Sequence, residues 1–191
     1  MPMASLSRWT MSYFAAALAF LLAAEAFAVT GIGFPDAGLA EPATLVLVHL
    51  VAIGWLSLAM AGALLQFVPV LVSRPLAFPQ LALPGLFTLI AGLLLLCAGF
   101  ATLAGWVAAP LDLLPLGATF LLTGFSLLGL MLVATLLSVR PIALFARFVL
   151  TGLACLAATA LSGAAFTALL SGRGNWLATI ALLPDGLPFH A

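Results

Sequence analysis

Between residues 11 and 170 the chain is almost continuous hydrocarbon, interrupted at four places by short stretches bearing proline or glycine. Inside a bilayer no water is available to bond backbone amides and carbonyls, so each spanning segment must be a helix or part of a closed barrel. The apolar runs lack the two-residue alternation of a membrane strand, which leaves the helix. A helix needs roughly 20 apolar residues to cross a hydrocarbon core about 30 Å thick. Five stretches are long enough: residues 11–34, 43–72, 81–107, 113–139 and 142–170. The expectation is an all-α, polytopic transmembrane bundle, a single domain over residues 1–191, with five spanning helices and an outer-side C-terminal segment, 171–191.

Composition excludes several function classes. Two-thirds of the residues are hydrophobic, 5% are charged and mean hydropathy is +1.37, outside the range of a soluble domain. Net charge is zero and all five basic residues are arginines, so there is no basic patch to neutralise phosphates and no nucleic-acid partner is expected. Cys97 and Cys155 each lie within an apolar run without a nearby Cys or His, and read as small packing residues. A structural zinc site needs about four close ligands, a pattern that two histidines and two isolated cysteines do not make.

The loops "FPDAGLAEP", "SRPLAFPQ", "AAPLD" and "RP" are short, so neighbouring helices should run antiparallel. Arg8, Arg74 and Arg140 then fall on one side, and Asp36, Glu41 and Asp112 on the other. The positive-inside rule places the N-terminus on the cytoplasmic side. Arg147 would snorkel to the same surface, and Arg173 is the exception. "AEAFA", ending at Ala28, has the look of a signal-peptide cleavage site, but the apolar run continues through Phe34 and a retained span is expected. Glycines recur seven apart at Gly85, Gly92 and Gly99, and again at Gly117 and Gly124, so each set lies on one helix face. Such faces let backbones approach closely, here more for packing within the chain than for a dedicated dimer interface.

Ionisable groups inside the membrane are expensive and point to function. His49 should sit roughly 9 Å inside the outer end of the second span, by the rise of a helix. Glu25 lies roughly 13 Å from the same surface, counted back from Phe34 by the same rise. Glu25 could accept from one imidazole nitrogen while the other binds a metal, or the pair could be a hydrogen bond with no cofactor. His190, in "LLPDGLPFHA", falls on the same outer side, after an apolar piece over residues 176–183 too short to span. Two such imidazoles could be axial ligands of a haem iron, or unrelated. Gln66 should meet water or a neighbouring helix, and Pro69 should bend or end the second span. Trp9 and Trp106 fit interfacial belts, whereas Trp55 should pack within the bundle.

The segment "HLVAIGWLSLAMAGALLQFVPVL", residues 49–71, resembles a helix of bacterial membrane haem proteins related to haem-copper oxidase subunit I and to the NnrS type. The matching positions are His49, Gly54, Trp55, Gly62, Ala63, Leu64, Gln66, Pro69 and Val70. The resemblance covers this one helix. It implies binding of haem b for electron transfer or gas sensing, with His49 the first ligand and, if the chain is a first half, His190 the opening ligand of the missing helix. Proteins of that group are about twice as long, and "LPDGLPFHA" looks like the entry to a sixth helix. The chain would then correspond to a first half, completed by a second copy or another membrane subunit. The departures count too: two histidines and one tyrosine, Tyr13, cannot furnish a binuclear copper centre, so catalysis by this chain alone is not expected. The competing expectation is a cofactor-free accessory subunit of a larger membrane complex. Transport ranks lower, since only Glu25 and His49 could line a path, and no Ser/His/Asp arrangement supports a hydrolase.

Overall fold

The computed structural model describes residues 8–171, with no strand among them. Among the described residues five helices are each long and apolar enough to cross a membrane: α1 (Arg8–Val29), α2 (Pro42–Val72), α3 (Pro79–Leu103), α4 (Leu113–Leu137) and α5 (Leu144–Leu170). The expected all-α bundle is therefore present. Its helix ends differ from the apolar runs where backbone conformation outweighs hydropathy. α1 stops at Val29, short of Phe34, because Gly31 and Gly33 take φ values of 70° and 101°, which no right-handed helix continues. α3 stops at Leu103 in the same way, with Gly105 at φ 74° and the Trp106 amide donating to the Ala101 carbonyl. Pro69 does not end α2. The helix runs on to Val72, Ser73 turns left-handed, and the Arg74 amide donates to the Pro69 carbonyl.

Successive helices run antiparallel. Gly54 of α2 lies against Phe20 of α1, and Gly62 against Tyr13. The loops over residues 30–41 and 104–112 therefore share one end of the bundle, the acidic end, where the rings of Phe27 and Trp106 meet at 6.1 Å. The basic end carries Arg8, Arg74 and Arg140, all exposed. There the Tyr13 hydroxyl, wholly buried, donates to the Ala82 carbonyl at 2.9 Å and fixes α1 to the start of α3. Gln66 finds a neighbouring helix, accepting from the Thr10 hydroxyl at 3.3 Å. Thr135 of α4 accepts from the Ala77 amide at 2.9 Å and holds the turn between α2 and α3.

The tightest packing is between α3 and α4. A Cβ added to Gly92 would stand 2.7 Å from the Leu121 nitrogen, and one on Gly117 the same distance from the Leu96 nitrogen. Only glycine permits that approach, so the glycine sets read in the sequence serve packing within the chain. α2 packs along α1 below His49 and on α3 above it. α5 rests almost wholly on α4, and only 6% of its most apolar stretch is buried. A slot therefore remains between α2 and α5. Trp55, expected in the packed interior, is instead 36% exposed on the outer surface of α2, since Gly54 beside it occupies the face turned to α1.

Candidate functional site

α2 is not uniform. Its first part, Pro42–His49, is α-helical, and the next eight residues, Leu50–Ser57, form a π-helix before the α-helix resumes at Leu58. Such wider turns, with i→i+5 bonds, are rare and are found disproportionately at functional sites. The Leu58 amide donates to the Ile53 carbonyl, and the Ser57 hydroxyl donates to the Ala52 carbonyl at 2.7 Å. His49 stands at the junction.

The His49 ring is half-buried and its Nδ1 lies 2.7 Å from the Leu45 carbonyl. A carbonyl oxygen only accepts, so Nδ1 carries the proton in that bond. The neutral ring then keeps its lone pair on Nε2, the atom a metal would take. The Phe100 ring of α3 lies against the imidazole, with centroids 5.0 Å apart and planes tilted by 43°. Together the backbone bond and the ring contact hold one tautomer in one orientation.

His49 lines a cavity of about 280 Å³ enclosed by α2, α3, α4 and α5. Phe100 and Leu96 wall it from α3, Leu121 and Phe125 from α4, and the small residues Ala160, Gly163 and Ala164 from α5. A Cβ added at Gly163 would meet nothing within 4 Å. A second cavity, about 420 Å³, adjoins it toward the basic end and shares Ser57, Phe125 and Leu156 as walls. Gly152 of α5 lines this second space and is likewise free of neighbours beyond its Cα. The two cavities occupy the α2–α5 slot.

Glu25 is not brought to His49. It is exposed on α1, and no hydrogen bond or ion pair joins the two residues. Because α1 ends at Val29, Glu25 lies only about 6 Å below that end, within reach of a membrane surface, whereas His49 lies about 10 Å into α2. The Leu45 carbonyl occupies the orienting role expected of that carboxylate. His190, Arg173 and residues 176–183 lie outside the described residues. Cys97 is half-buried and Cys155 exposed, both as free thiols.

Among the described residues no group of three or more His, Cys, Asp or Glu side chains could hold a bare metal ion. The donor set does fit a cofactor that brings its own equatorial ligands and takes one neutral imidazole, as haem does. The Leu45 bond leaves one ring nitrogen over, the α5 wall mixes the small residues Ala160, Gly163 and Ala164 with Leu156, Thr159, Phe166 and Thr167, and most of the lining is apolar.

Sequence reasoning singled out His49 but missed Phe100, the π-helical segment and the open face of α5. The buried residues Val46, Leu50, Gly54 and Leu58 recur every four residues, a spacing an α-helix does not hold on one face, but in a run where nearly every residue is apolar only the structure picks them out. No family model, curated protein or solved structure matches this chain.

Proposed function

We propose that this chain is a multi-pass protein of a bacterial inner membrane that holds haem b beside His49, for electron transfer or gas sensing, without a binuclear copper centre. The observation that carries the reading is the Nδ1 to Leu45 carbonyl bond, which leaves the Nε2 lone pair over on a ring that lines a mostly apolar cavity. Bound there, haem would supply a one-electron iron couple or a coordination position for a small neutral gas. His49 would hold the iron and the Leu45 carbonyl would keep the tautomer. Phe100 and Phe125 would exclude water, and Gly163, with nothing within 4 Å of a notional Cβ, would present the least bulk on the α5 wall. The likeness of residues 49–71 to a haem-binding helix supports the same reading.

The test is the absorption spectrum of the purified protein. A Soret band is expected in the native chain, absent from His49→Ala and from Gly163→Phe, which fills the cavity while leaving the imidazole in place. Folded native protein without the band rejects the proposal.

We further propose that the N-terminus lies in the cytoplasm, because Arg8, Arg74 and Arg140 share one exposed end. In a chain whose native cysteines are replaced by alanine, Asp36→Cys should react with a membrane-impermeant maleimide outside intact cells, and Ser138→Cys should not. The reverse pattern inverts the topology.

A second reading, a cofactor-free subunit of a larger complex, is favoured by the nearly bare surface of α5. It predicts a stoichiometric partner on purification and unchanged assembly when His49 is replaced.

A further inference from the structure

We infer that the π-helical segment Leu50–Ser57 is the positioning element of His49: it turns the acidic-end portion of α2 so that the imidazole faces the α2–α5 slot while the remainder stays registered on α1. The inference deepens the proposed use of that site and rests on it.

The registration follows from the buried face. In an uninterrupted α-helix each step of four residues drifts about 40°, so Val46 and Leu58, three such steps apart, would diverge by about 120°. Both are buried, with Leu50 and Gly54 between them buried as well. The wider turns absorb the drift. Beyond Leu58 the buried positions Ala61, Leu65 and Val68 return to spacings of three and four, as an α-helix requires. Contacts change at the same place. The portion Pro42–His49 packs chiefly on α3, and from Leu50 onward α2 packs on α1.

Two anchors fix the lower part against rotation. Gly62 faces Tyr13, with a notional Cβ 3.0 Å from the tyrosine Cβ, and Gln66 accepts from Thr10. Gly54, inside the π segment, faces Phe20 and Leu93 at under 3.0 Å. Eight residues of α-helix would set Gly54 and Gly62 about 80° apart. With α1 held at both glycines, His49 takes its direction from the intervening turns. The Ser57 hydroxyl, bonded five residues back to the Ala52 carbonyl, spans one of those turns.

A drift of about 120° is close to the 100° that one residue contributes. The π segment thus carries one surplus residue, and the consequence is asymmetric: losing one residue there should leave the register nearly intact, while gaining one should destroy it. Without a surplus, deletion and insertion would rotate the helix equally in opposite directions.

The experiment uses the full chain in membranes, with Cys97 and Cys155 replaced by alanine. His49→Cys and Gly163→Cys, which line the same cavity, report the slot register through a short bifunctional thiol reagent. In parallel chains, Thr10→Cys with Gln66→Cys reports the lower anchor. Deletion of Ala52 is expected to retain both links, as is deletion of Val51. Insertion of one alanine after Ala52 is expected to retain the 10–66 link and lose the 49–163 link. Loss of the 49–163 link in both deletions, or its survival in the insertion, overturns the inference. With His49 intact, the Soret band should follow the 49–163 result. A colourless native chain would sink the haem reading alone, since the cross-links need no cofactor.

Discussion

Gly92 and Gly152 stand in equally apolar sequence and do opposite things. The backbone of Leu121 lies 2.7 Å from a notional Cβ at Gly92, whereas Gly152 has nothing within 4 Å. Gly92→Ala should therefore overpack the α3–α4 interface and cost about 1–3 kcal/mol. Gly152→Ala should gain up to about 1 kcal/mol from helix propensity. Thermal unfolding of the two variants in detergent should move in opposite directions. Tyr13→Phe should cost about 1 kcal/mol, the worth of one buried hydrogen bond, with the midpoint lowered and the helix content unchanged. The same contrast explains what could be read from the sequence at this scale. His49 was legible because one imidazole in a long apolar run is costly enough to demand a reason. Its Leu45 partner was not, because every residue carries a carbonyl and only backbone geometry decides which one is met. The depth of Glu25 was misjudged because hydropathy continues through Val29 to Phe34 while the helix does not.

At the scale of elements, the five helices followed from the length of their apolar runs, and their ends did not. Gly31 and Gly105 end helices through backbone conformation, information that an average over side-chain hydropathy discards. The π segment was hidden for a related reason. A four-residue recurrence of buried positions appears only once the buried positions are known, since nearly every side chain of α2 is apolar. The helices also differ in how firmly they are held. α3 and α4 interlock through glycine and leucine, while α5 leans almost wholly on α4. Amide hydrogen exchange in lipid nanodiscs should therefore be slowest in the central turns of α3 and α4 and fastest in α5. Uniform protection across all five helices would contradict this packing order.

For the whole molecule, charge and shape divide the labour. Among the described residues the Asp, Glu and Arg side chains lie in the loops or within about a turn of a helix end, and none of them lines the slot. An ion entering that space would be stripped of hydration without compensation, which costs several kcal/mol or more. Leu56 and Met60 border its wider part and are themselves exposed, so the way in runs sideways between α2 and α5. A small apolar molecule taking that way to the imidazole would first dissolve in fat, and its supply would be governed by oil–water partitioning and the composition of the surrounding leaflet. Ionic strength of the bathing solution should leave that traffic unchanged.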